Sequence, residues 1–236
     1  MFKKTNEIEF VSSTDYFWEL GARPIPAASV IPDWWKNMQP HSTHDNKLRM
    51  NPGPTVTAKK CFPLLDGITA GYILPLWSDV MVNTDPKLPL VQWGPSQPVF
   101  DSWNASQIAD VELPKGYSKT VLKYLHGWII KTPPGWSCLV THPIGYPNLP
   151  FRVIPGIVDT DTLTTGINTP IVIKEGFEGI IEKGTPMFQV IPVKRENWKS
   201  KVTKGDENTF NINHEKLKTT IVSSYGKNTR SSKKFT

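Results

Sequence analysis

The sequence predicts a mainly β fold, a barrel-like structure or sandwich of short strands with a few short helices and a basic C-terminal extension. Two observations carry this expectation. The chain holds 22 prolines and 16 glycines in 236 residues, and proline interrupts helix interiors and central strands alike. Between these breakers, aromatic and β-branched runs recur about every ten residues, the rhythm of an all-β domain. Residues 1–199 are expected to form one β-rich domain, irregular over the first 60. Residues 200–236 are expected to be a basic, partly disordered extension.

The elements follow in order. Glu7-Ile8-Glu9-Phe10-Val11 alternates polar and apolar, as a half-buried strand does. Ile31 to Met38 carries a proline, an acid and aromatic side chains at helical spacing, and predicts a short helix that stops before Pro40. Residues 39–58 read as a long loop. Cys61 to Tyr72, with Phe62, Leu64, Leu65 and Ile68, predicts a second short helix. Strands are then expected at Tyr72–Leu76, Val80–Asn83, Leu88–Trp93, Gln107–Glu112, Tyr124–Lys131, Ser137–Thr141, Phe151–Val158, Ile171–Lys174, Glu178–Ile181 and Met187–Val193. Asn213–Ser223 starts with an N-capping residue and predicts a last amphipathic helix.

Charge is uneven along the chain. The formal net charge is +6, yet residues 194–236 hold 11 Lys and Arg against 4 Asp and Glu, or +7, leaving −1 for the rest. The basic character therefore belongs to the C-terminal segment. Residues 227–236 contain no acid, as expected of a solvated tail; clustered cations would also suit contact with nucleic acid or an acidic partner. No apolar run approaches the roughly 18 to 20 residues of a membrane-spanning helix, and no apolar signal segment follows Met1, so neither membrane insertion nor secretion is expected. The two cysteines, Cys61 and Cys138, lack the spacing of a disulfide scaffold or a zinc module, which suits a reducing compartment.

Several catalytic signatures are incomplete. Gly179 and Gly184 have P-loop spacing, but Thr185 stands where lysine must reach the phosphates, so the segment reads as a strand and a turn. Gly135-Trp136-Ser137-Cys138-Leu139 lacks the second glycine of a nucleophile elbow. No histidine is followed two positions later by Asp or Glu, and His41 and His44 lack the i, i+4 spacing that aims two imidazoles from a helix. No metal-ligating set is read here.

One colinear set of segments stands out. Ala70-Gly71-Tyr72-Ile73-Leu74, Pro155-Gly156-Ile157-Val158-Asp159-Thr160-Asp161, Gly166-Ile167-Asn168 and Lys183-Gly184-Thr185-Pro186-Met187-Phe188-Gln189 resemble, in order, motifs of the dUTPase and dCTP deaminase superfamily, best over residues 128–195. The resemblance implies a β-clip fold and a trimer with sites between subunits. Asp159 would inherit the catalytic carboxylate, which orients or deprotonates water for attack on phosphorus. Asp161, Asn168 and Gln189 would line the site, with Trp128 or Trp136 as a stacking surface. This sequence departs from the pattern at Ile73, where the first motif has an acid. It also lacks an aromatic across Thr162–Thr165, an Arg-Ser phosphate grip near Thr141-His142-Pro143, and an arginine at 185–187.

Across residues 31–199 the chain is similar to an uncharacterised family of bacteriophage and bacterial proteins. The matching segments are Ile31-Pro32-Asp33-Trp34-Trp35, Lys60-Cys61-Phe62-Pro63, Lys131-Thr132-Pro133-Pro134-Gly135-Trp136-Ser137-Cys138 and Pro192-Val193-Lys194-Arg195. This resemblance implies a viral or prophage setting, in the host cytoplasm or the virion. Three expectations follow. The first is a β-clip-like protein that binds a small ligand such as a nucleotide, or a protein partner, without hydrolysis. The second is a divergent nucleoside triphosphate pyrophosphatase using Asp159 and magnesium, the one cofactor any reading requires. The third is a virion or assembly component. Against a ligand site there, Asp159-Thr160-Asp161 also reads as a turn bonding its own backbone.

Overall fold

A computed structural model describes residues 6–20, 22–42, 55–85, 87, 89–212, 230, 231 and 233–235. Along the chain run β1 (Glu9–Ser12), α1 (Asp15–Leu20), β2 (Ile25–Pro26), α2 (Asp33–Asn37), β3 (His41–Ser42), β4 (Thr55–Val56), α3 (Phe62–Ile68), β5 (Tyr72–Pro75), β6 (Val80–Asn83), β7 (Leu90–Trp93) and β8 (Phe100–Ser102). They continue with β9 (Tyr117–Tyr124), β10 (Trp128–Lys131), β11 (Trp136–Thr141), β12 (Phe151–Val153), β13 (Gly156–Val158), β14 (Thr169–Lys174), β15 (Glu178–Ile181) and β16 (Pro186–Lys194). The protein is mainly β, as its punctuation by proline and glycine dictates.

Every strand pair is antiparallel. One sheet runs β13-β11-β16-β5-β2, a second β12-β14-β9-β8 and a third β15-β6-β7, while β1 pairs β10 and β3 pairs β4. Side chains from the three larger sheets share one core. Leu74, Val140 and Val190 come from the first, Tyr124, Phe151 and Ile171 from the second, and Val80 and Ile181 from the third. This is a sandwich-like arrangement, with the inner faces joined by apolar burial. β6 alternates buried Val80 and Val82 with exposed Met81, the mark of a sheet with one open face. β14 and β16 are almost continuously apolar because both faces are covered.

Tyr124 sits at the centre with no exposed surface, and its hydroxyl donates to the Pro75 carbonyl at 2.8 Å. Burial pushes its phenol well above the ordinary range. Beside it His126 is buried, its Nδ1 accepting the Trp128 N–H at 3.2 Å, and burial drives the imidazole down to about 4. Gly71 has φ +62, and a Cβ there would lie 1.9 Å from the Val190 carbonyl oxygen. Only glycine lets β5 come this close to β16.

The structure departs from the sequence reading at defined points. Residues 107–112 form no strand; they lie in a 3-10 turn and loop, with Val111 exposed. The expected strand 124–131 is two: β9 ends at Tyr124, and β10 starts after Gly127, whose φ of +68 turns the chain. The strand expected over 151–158 divides into β12 and β13 because Pro155 has no N–H to give a ladder. Pro32 stands at the N-cap of α2, just before its first residue, and of the two tryptophans Trp35 is buried while Trp34 is exposed. The helix expected over 213–223 lies outside the described residues.

Candidate functional site

β11 lies between β13 and β16, with Cys138 opposite both Val158 and Pro192. That register places Ser137, Asp159 just beyond β13, and Arg195 just beyond β16 on the outer face. The Ser137 hydroxyl donates to Asp159 Oδ1 at 2.7 Å, and Arg195 Nη1 reaches the same oxygen at 3.3 Å. Arg195 also grips Asp161 with both terminal nitrogens; Nη1 donates to Oδ1 at 2.8 Å and Nη2 to Oδ2. The Gly135 N–H donates to Asp161 Oδ2 at 2.8 Å, and the Gly135 carbonyl accepts from the Arg195 N–H at 2.8 Å. Thr160, fully inside, meets Thr132 Oγ1 at 2.7 Å and donates to Cys138 Sγ at 3.3 Å.

The 159–161 turn is thus stitched to the 132–138 segment by side chains, while Thr162 and Leu163 bond back to the Asp159 carbonyl. The Arg195 fork holds the Asp161 carboxyl down at about 2, aided by the Gly135 N–H. A carboxylate so acidic is a poor general base near neutral pH. The Asp161 side chain is 5% exposed and that of Asp159 63%. Asp159 borders an open depression with Ile157, Val193 and Asn197. Among the described residues, no group of three His, Cys, Asp or Glu side chains is placed to hold a metal ion.

The other residues singled out by sequence go elsewhere. Gln189 is fully buried in β16, where its carbonyl oxygen accepts the Ile144 N–H at 2.8 Å. Its amide donates to the carbonyls of Gly67 at 3.0 Å and Ala70 at 2.6 Å. All of this ties loops to the sheet and leaves little for a ligand. Trp128 is a core residue whose indole N–H donates to the Ala22 carbonyl at 3.1 Å. Asn168 is exposed in the loop before β14. Trp136 is half-buried and lines a second feature.

That feature is a groove whose walls are made by Ile8, Tyr72, Pro133, Trp136 and Pro192 together with the chain's own Phe235. The Phe235 ring meets Tyr72 edge-on, with centroids 6.3 Å apart. The same C-terminal segment holds Asp66 on α3. Arg230 Nη2 donates to Asp66 Oδ1 at 2.6 Å, and Lys233 Nζ donates to Oδ2 at 2.8 Å. Phe62, one helical turn before Asp66, shares its face, and the Arg230 guanidinium lies 4.9 Å over that ring. These donors hold the Asp66 carboxyl below its usual range, Arg230 first. The sequence reading did not single out Arg195, Asp66, Tyr72 or Phe235 as site residues. The one available signal was a lone acid on an apolar helix in a chain with a cationic end.

Comparison with family models, with curated proteins and with solved structures found no match.

Proposed function

We propose that this chain is a phage-type, β-clip-like binding protein that takes a protein segment and does not hydrolyse a nucleotide. The observation that carries the reading is the seat of Arg230, Lys233 and Phe235. Two cations converge on Asp66 while Phe235 packs edge-on against Tyr72 and helps wall a groove with Trp136 and Pro192. An acid beside an aromatic-lined groove recognises a basic segment ending in an aromatic residue. The acids of the 159–161 turn support the same side of the choice, since Arg195, Ser137 and Gly135 already engage them.

The test uses full-length protein carrying Arg230→Glu, Lys233→Glu and Phe235→Ala, so that its own segment no longer competes. A labelled synthetic peptide of residues 227–236 should bind this variant saturably, and more weakly as salt rises. Absence of saturable binding overturns the reading. A panel of ribo- and deoxyribonucleotides with and without magnesium should leave the melting temperature unchanged. A selective shift, followed by turnover that Asp159→Asn abolishes, would establish the pyrophosphatase instead.

One observation favours an assembly role. Residues 196–212 are all exposed, Trp198 at 86% and Val202 at 99%. Recovery of the protein in purified particles would support that role, and its absence from them would count against it.

A further inference from the structure

The loop of residues 103–116 runs back onto the sheet that holds β9. The Trp103 N–H donates to the Val121 carbonyl at 3.0 Å, and the Gly116 carbonyl accepts from the Glu175 N–H at 3.0 Å. Between the pairs Val121–Val172 and Tyr117–Lys174 the ladder advances four residues on β9 and two on β14, so Ser118, Lys119 and Thr120 have no partner in either register. Bulges of this kind re-aim side chains and are common beside functional sites. Tyr117 and Lys119 here line a pocket of about 460 Å³, which the loop completes with Ile108, Val111 and Leu113. That volume suits a small molecule.

The polar side of the pocket is cationic. Lys115 and Lys119 line it with one acid, Glu175, a net charge of +1. Further along β9, Lys123 pairs with Asp101 directly opposite, whereas neither Lys115 nor Lys119 has an ion-pair partner among the described residues. Tyr117 adds a directed donor. Arg152 Nε donates to its hydroxyl oxygen at 3.1 Å, while the hydroxyl's own proton has no acceptor among the described residues. A hydrogen bond received from a cation polarises that O–H and strengthens the bond it can give. Arg152 itself is half-buried, and its two terminal nitrogens have no partner among the described residues; a partly desolvated cation is stabilised by an anion nearby.

We propose that this pocket binds a small organic monocarboxylate with an apolar body. The carboxylate accepts hydrogen bonds from the Tyr117 hydroxyl and the Lys115 and Lys119 ammonium groups. The apolar body covers Ile108, Leu113 and Val111, the last of which is 45% exposed. Charge selects the class. A lining of +1 matches a single negative charge, whereas a phosphate monoester carries about −1.5 to −2 and sets the excess against Glu175. The site shares no lining residue with the groove at Phe235 and goes beyond the reading proposed for that groove.

The experiment titrates the full-length protein calorimetrically with 4-phenylbutyrate and, separately, with acetate, 4-phenylbutan-1-ol and phenyl phosphate. 4-Phenylbutyrate should bind saturably, about tenfold or more tightly than each of the others, and more weakly as salt rises. Lys119→Glu changes an exposed side chain and should weaken binding about tenfold or more, and Tyr117→Phe should act in the same direction. Melting curves confirm that both variants are folded. Absence of saturable binding overturns the proposal, and so does equal binding of the alcohol or of acetate, since the pocket would then select only one half of the ligand. Tighter binding of phenyl phosphate overturns the choice of a monoanion. Binding unchanged in both variants places the ligand elsewhere and overturns the site. None of these results bears on peptide binding at the groove, so the two readings stand or fall apart.

Discussion

Arg195 and Asp161, 34 residues apart in sequence, are joined by two nearly parallel hydrogen bonds from one guanidinium to one carboxylate. This fork closes the end of the β11–β16 ladder and fastens the turn after β13 to it. A bidentate pair is directional as well as charged, so lysine is a poor substitute. Arg195→Lys and Arg195→Ala should both lower the melting temperature, the alanine more. Hydrogen exchange at Gly135 and Thr160 should rise in both. Unchanged exchange there would show that the fork is not what holds the turn.

The acid limb of the stability curve should carry the Asp161 signature. Its folded pKa lies near 2, below the ordinary 3.8. The unfolded state therefore binds the proton first, and the stabilisation is lost as pH falls from about 4 to 2. Asp161→Asn should remove that part of the acid transition, as melting temperature against pH would reveal.

His126 acts in a separate window. Its folded value of about 4 lies below the ordinary 6.5 of an imidazole, so between those values the unfolded chain takes up a proton that the folded chain refuses. Stability should fall as pH drops from 6.5 to 4, by up to about 3 kcal/mol at roughly 1.4 kcal/mol per unit. His142, also lowered by burial, shares the direction. His126→Asn keeps an acceptor for the Trp128 N–H and should flatten the slope; an unaltered slope would contradict this assignment.

Gly71→Ala tests the closest backbone approach. The new methyl meets the Val190 carbonyl in a left-handed conformation, and strain and overpacking together cost about 3 kcal/mol or more. Chemical denaturation should show the loss. A variant as stable as wild type would mean that β5 and β16 can separate freely.

Gln189→Leu fills the same space but strands one buried N–H and two carbonyls. At about 1–3 kcal/mol for each unsatisfied group, the loss should reach about 3 kcal/mol or more, against a much smaller loss if the amide were idle. Gln189→Glu should be destabilised at neutral pH, because a carboxylate cannot donate to Gly67 and Ala70.

The sequence was informative where strands are bounded by turn residues and covered on a defined face. β6 and β15 match the expected bounds, β11 differs from them by one residue at its start, and β16 is longer by one residue at each end. β9 was hidden because Lys119 and Thr120 are exposed in its first half, so neither alternation nor a continuous apolar run appears. The stretch 107–112 misled because Ile108 and Val111 look strand-forming, yet among the described residues it joins no strand pairing. At the site, Asp159 and Asp161 were visible as a motif. Their partner Arg195 was not, because only pairing of β16 with β11 brings it there. The groove was hidden for a related reason: it is made by residues from both ends of the chain. A polar, cationic end reads as solvated until Asp66 and Tyr72 are seen facing it.

The central place of β16 also sets a timetable. β5 and β11 both need β16 as a neighbour, but it lies more than a hundred residues beyond β5 in the chain. At roughly 5–20 residues per second of synthesis, β5 has one unpaired edge for several seconds or more before β16 arrives. An exposed strand edge is a template for misassociation. β5 is only four residues long and ends in Pro75, which offers no N–H to an intruding strand, so the nascent chain carries its own guard through that wait.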